Sequence, residues 1–197
     1  MRVLVACEFS QVVCKAFRER GHEAYSCDII DCSGGHPEWH IKDDVLNHLD
    51  DGWDLMIAHP PCTWLCQAMR TNAARKDRPS VSAIFETERD KAFEFVLALY
   101  NANIPRIAIE NPIGYLNQAW RKPDQILRPY MFGHNYNKDI CFWLKNLPYL
   151  NPTVALFPPK GGWKKLDFWS DKRNPDGKSL KSITFPGIAQ AMAEQWG

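Results

Sequence analysis

The chain has no long apolar run, no excess of either charge, no internal repeat and no low-complexity tract. Each absence closes off a class of protein. The N-terminal run, Met1 to Cys7, is apolar only until Glu8; it suits a buried first strand and is too short for a signal peptide or a membrane span. With 24 Lys and Arg against 23 Asp and Glu, the net charge is +1, so affinity for nucleic acid has to come from local patches rather than a global field. Seven cysteines, an odd number without framework spacing, point to reduced thiols in a cytoplasm. Cys27, Cys32, His36 and His40 follow a C-x4-C-x3-H-x3-H spacing. That is no standard zinc pattern, and Cys27 falls in a predicted strand, so no metal is expected.

What is present is ordinary globular material: 197 residues, 45% hydrophobic and 24% charged, enough for one domain with a sizeable core. Arg2 to Cys7 is apolar without alternation, the pattern of a central parallel strand. Gln11 to Arg20 carries Val12, Val13, Ala16 and Phe17 on one helical face, with Gly21 as its stop. Strands are predicted over His22 to Asp28, Trp53 to His59, Ile104 to Ile109 and Asp139 to Leu144, and helices from about Ser82 to Asn101 and over Pro186 to Trp196. In the long helix Phe85, Ala92, Phe93, Val96, Leu97 and Tyr100 recur at helical spacing and are read as core. Thr63 to Ser80 has no clear period and is read as a loop. Alternating strands and helices imply an α/β, doubly wound Rossmann-like sheet, mostly parallel, in a single domain over 1–197. Residues 151–181, rich in Pro, Gly, Trp and Lys, read as an irregular insertion.

Two strand exits carry reactive side chains. Pro60-Pro61-Cys62 closes an apolar run, and two prolines cannot continue a ladder. The chain must leave the sheet there, at the edge where open α/β sheets bind ligands. Glu110-Asn111-Pro112 ends a second apolar run in the same way. A thiol and a carboxylate facing one pocket suit nucleophilic attack paired with proton donation. Basic residues cluster in two places: Arg70, Arg75, Lys76 and Arg78 after Cys62, and Lys164, Lys165, Lys172 and Arg173 among Trp163, Phe168 and Trp169. Such mixtures suit phosphate contact and base stacking.

In this order the motifs resemble the DNA (cytosine-5) methyltransferases, in particular small phage-type members without a full target-recognition domain. Phe9-Ser10 matches the start of the family's first motif, although both of its glycines are missing. Asp28 stands at the end of the second strand, Asp43-Asp44-Val45 in the place of the third motif, Pro61-Cys62 in that of the fourth and Glu110-Asn111 in that of the sixth. The resemblance covers roughly residues 1 to 150. It implies S-adenosylmethionine as cofactor, bound by Phe9, Ser10, Asp28 at the ribose, Ile29 and Asp44 at the adenine, and Pro60. It implies Cys62 as the nucleophile toward cytosine C6 and Glu110 as the proton donor, with Asn111 holding the loop. The partner implied is double-stranded DNA with its target base flipped out, gripped by Arg70, Arg75, Arg78, Lys138, Lys164, Lys165 and Arg173. The family's eighth motif is not recognisable; only Lys138 offers a cation near its place. Two alternatives stay open: methylation of a free pyrimidine nucleotide, and a binding module that has lost its chemistry.

Overall fold

The computed structural model describes residues 1–74, 77, 79–154 and 183–197. Among the described residues seven strands form one sheet: β1 (Arg2–Ala6), β2 (Glu23–Asp28), β3 (His40–Lys42), β4 (Leu55–Ala58), β5 (Arg106–Asn111), β6 (Gln125–Leu127) and β7 (Ile140–Lys145), in the order β3-β2-β1-β4-β5-β7-β6. The first five are parallel, and β7 runs antiparallel to both β5 and β6. The order reverses between β1 and β4, and that switch point opens a crevice beyond the strands' carboxyl ends. This is the expected Rossmann-like α/β fold.

Both faces of the sheet are covered, which is why its central strands are apolar without alternation. Val3, Val5, Leu55 and Ile57 pack against α1 (Val12–Glu19) and α5 (Pro186–Gln195), and α5 itself lies on α1. Leu4, Met56, Ile107 and Ile109 pack on the other face with Val96 and Leu99 of α3 (Pro79–Asn101).

Three expectations need correction. The Thr63 to Ser80 stretch is not one loop: it contains α2 (Gln67–Ala73), and α3 already begins at Pro79. Alanine, methionine, glutamine and arginine favour helix in α2, but only Ala73 in it is buried, so no apolar period betrays it. Phe85 is not core. α3 packs on α2 as well as on β5, and Phe85, half-buried, faces Trp64 with ring centroids 6.4 Å apart. Leu97 is likewise only half-buried, since Val96 and Leu99 are the α3 residues turned to the sheet. β3 and β6, three residues each, and the short α4 (Leu116–Ala119) have no sequence signal of their own. Most of the 151–181 segment, from residue 155 onward, lies outside the described residues.

Candidate active site

The β1–β4 and β4–β5 registers pair Ala6 with Ala58 and Ala58 with Ile109. One residue further on, Cys7, His59 and Glu110 therefore stand side by side at the carboxyl edge. His59 Nδ1 lies 3.2 Å from Glu110 Oε2, with side chains 7% and 21% exposed. Pro60 is buried, and its carbonyl accepts a 2.9 Å hydrogen bond from Asn111 Nδ2. Asn111 thus ties the two exits together. Cys62 is exposed, and its carbonyl accepts from the amides of Leu65 and Cys66 at 3.1 and 2.9 Å. The turn that follows is fastened to the loop after β5, where Tyr115 N donates to Leu65 O at 2.8 Å. Gly114 permits this: a Cβ there would overlap the Leu65 carbonyl oxygen.

Burial pushes the Glu110 carboxyl up, but the hydrogen bond and charge of His59, with the charge of Lys138, outweigh it and hold Glu110 below the usual glutamate range. Although Cys62 is exposed, desolvation of its thiol raises its pKa, Cys66 and Glu110 add to the rise, and Lys138 opposes it. Lys138 therefore acts on the thiol and the carboxylate together. Glu8, buried at 4% exposure, has its carboxyl raised by desolvation, against which His59, the Val13 and Cys14 amides and the Ser10 hydroxyl work.

The residues assigned to the cofactor gather around the end of β1. Desolvation raises the Cys7 thiol, and the charges of Asp28, then Cys27 and Asp44, add to the rise. Asp28 Oδ1 accepts from Ile30 N at 3.3 Å and Asp44 Oδ1 from Leu46 N at 3.0 Å. Ile29 is 72% exposed beside Asp28. A carboxylate and a bare aliphatic side chain at a strand end fit the ribose and base of an adenosine. Phe9 and Ser10 are buried, and the Ser10 hydroxyl donates to Glu8 Oε1 at 3.2 Å.

The loop without glycines is built differently from what the resemblance implies. Gln11 takes the first glycine's position with φ 59°, in the left-handed region. Its fully buried amide accepts from His36 N at 3.1 Å and donates to His36 O at 2.7 Å. The clearance is supplied from across the gap: a Cβ on Gly34 would overlap Gln11 Cβ and come within 2.7 Å of Ser10 O. Gln11→Ala leaves the half-buried His36 amide without its acceptor and is expected to cost about 0.5–1.5 kcal/mol. Urea unfolding reads the loss, and faster amide exchange confined to 32–36 should accompany it.

Of the residues assigned to nucleic acid, Arg70 lies on α2, where its guanidinium donates to Gln118 Oε1 at 3.2 Å. Lys138 joins the Cys62–Glu110 site, and Arg75, Arg78, Lys164, Lys165 and Arg173 fall outside the described residues. Next to the Cys62 loop is a groove of about 330 Å³ lined by Trp64, Arg70, Phe85, Arg89 and Tyr115. Arg89 lies over the Tyr115 ring at 4.6 Å. His59, Glu8 and Arg89 did not emerge from sequence reasoning. For His59 a signal existed: a titratable residue directly before Pro-Pro-Cys at a strand end. Of the zinc-spaced residues, His40 is engaged by Ser26 Oγ and Ile30 O, both at 2.9 Å, and His36 stacks on Trp39. Among the described residues no three His, Cys, Asp or Glu are grouped to hold a metal, and no helix is long and apolar enough to cross a membrane.

Strand order and crevice define an α/β, Rossmann-like fold with a mostly parallel sheet. No family model and no curated protein matches the chain. Among solved structures it is similar to an rRNA methylase from Escherichia coli, at 17% identity and a TM-score of 0.40, over 73% of this chain and 55% of that one. The chain thus spans little more than half the length of that enzyme.

Proposed function

We propose that the chain transfers a methyl group to C5 of cytosine in DNA through a covalent adduct with Cys62. One observation carries the reading: a cysteine and a glutamate at adjacent strand exits, under the influence of one lysine and bound together by Asn111. Cytosine C5 is a poor nucleophile, and addition of the Cys62 thiolate at C6 would activate it. Glu110 would give a proton to the ring as negative charge develops there. Lys138 favours both the thiolate and the carboxylate. Asn111, bonded to Pro60 O, holds the two exits at a fixed separation. Bound S-adenosylmethionine supplies an electrophilic methyl. Asp28 would hold its ribose, and Ile29 with Asp44 its adenine.

The groove beside Cys62 favours a strand over a free nucleotide, because arginines among aromatic rings suit phosphates and stacked bases. From a duplex the target base would have to be flipped out. If Trp64 stacks on a neighbouring base, Trp64→Ala is expected to weaken binding of a short single strand by about 1–3 kcal/mol, with an unchanged salt dependence in a fluorescence titration. For the reaction itself, a 5-fluorocytosine oligonucleotide with S-adenosylmethionine should trap a covalent complex, and peptide mapping should place the bond at Cys62. Folded protein that binds the cofactor and forms no adduct would rule the mechanism out. Labelled cofactor offered with dCMP and with DNA in parallel separates the two substrates.

A further inference from the structure

We infer that the proton delivered to the substrate ring is held jointly by His59 and Glu110, the imidazole standing as a reservoir behind the carboxyl. This rests on the proposed function for the identity of the acceptor and adds to it a residue that the cysteine–glutamate pair does not include.

The geometry is set by the sheet. His59 follows β4 and Glu110 lies near the end of β5, and the register that pairs Ala58 with Ile109 puts them next to each other. Their contact, Nδ1 to Oε2 at 3.2 Å, is shielded by side-chain exposures of only 7% and 21%. His59 Nε2 is buried and has no hydrogen-bond partner among the described residues. Around this pair stand Cys7 and Glu8 from the exit of β1, Cys62 from the exit of β4 and Lys138 from the approach to β7. Glu8, held by the Val13 and Cys14 amides at 2.7 and 3.1 Å, interacts electrostatically with His59 from the β1 side.

The arrangement resolves a conflict. A carboxyl kept below the usual glutamate range by its neighbours carries no proton of its own at neutral pH, yet the ring needs one. In the relay the His59 Nδ1–H bond breaks as the Glu110 Oε2–H bond forms. The carboxyl then passes that proton to the ring nitrogen. A carboxylate and an imidazole protonated only at Nε2 remain; as the C5 proton leaves to solvent and the C6–Sγ bond breaks, Cys62 departs as thiolate and the ring nitrogen returns its proton by the same path. His59 is thus a positioning and proton-holding residue that acts through Glu110.

His59→Asn separates the two roles, because the Asn amide can keep an N–H toward Glu110 but cannot hold the extra proton. Carbon-13 titration of the Glu110 carboxyl in the free protein is the first arm. Burial persists in H59N while the hydrogen bond and charge of the imidazole change, so the Glu110 midpoint should rise. An unchanged midpoint overturns the inference whether or not the protein methylates anything. The second arm is the pH dependence of kcat/KM for methyl transfer to an oligonucleotide. The alkaline limb belongs to the pair in the parent and to Glu110 alone in H59N, so the two profiles should differ there. A superimposable profile also overturns it, since a purely structural His59 would give that result. A coupled carboxyl titration in a parent that transfers no methyl leaves the pair standing and removes the substrate reading instead. Should H59N fold poorly by circular dichroism, His59→Gln, with its own amide donor, takes its place in both arms.

Discussion

Cys62→Ser is expected to abolish both covalent trapping and methyl transfer, with a loss on the order of 10³-fold or more for removal of a nucleophile. The thiolate is the attacking species, and a serine hydroxyl in the same place stays protonated. The fold should not notice. Cys62 is exposed and not part of either core cluster, so the change in stability should remain within about 0.5 kcal/mol. Parallel gels with a 5-fluorocytosine oligonucleotide and a thermal melt test both halves of the statement. Residual activity near that of the parent would remove Cys62 from the mechanism. Because desolvation, Cys66 and Glu110 hold the thiol above its ordinary range, alkylation of Cys62 by iodoacetamide should climb steadily as pH rises through and beyond 8.5, the value of a free thiol. Lys138→Ala removes the opposing charge. It should raise the thiol further and slow alkylation at any fixed pH below the midpoint.

Trp143→Ala is expected to be the most damaging change to the fold, at about 3–5 kcal/mol. Trp143 is fully buried on β7. Its ring stacks on Trp120 with centroids 6.2 Å apart, and its Nε1 donates to Arg121 O at 3.0 Å. Truncation opens a cavity between the sheet and the Trp120–Tyr100 pair and takes the donor from the half-buried Arg121 carbonyl. For a domain of this size the thermal midpoint should fall by roughly 10 °C or more. The loss should spread to the site as well, because β7 pairs with β5 opposite Glu110 and Asn111. Trp143→Phe keeps most of the packing and should recover more than half of the loss; equal damage from both variants would point to the lost hydrogen bond instead.

The local chemistry of the chain was legible wherever one segment carries the whole signal. Unbroken apolar runs announced β1, β4 and β5, since a strand covered on both faces has no polar side to show. Prolines marked where β4 and β5 end, because they cannot donate to a ladder, and so pointed to Cys62, Glu110 and Asn111. α1 followed from the spacing of its apolar face, and α5 was read as a short helix opened by a proline in its first turn. By contrast, α2 buries a single residue and casts no period, and β3 and β6 are too short to carry one.

Only the tertiary structure decided which strand ends become neighbours. His59 and Glu110 are 51 residues apart, and nothing within either segment encodes their 3.2 Å contact; it arises from sheet order and register. The absent glycines tell the same lesson from the other side. Within residues 9–13 their loss reads as a defect, but in the folded chain Gln11 adopts the left-handed conformation itself and Gly34, 23 positions later, provides the space. A sequence specifies conformation and burial segment by segment, through sterics and the hydrophobic effect. Which side chains share a proton, a pocket or a gap depends on packing that closes only when all the segments meet.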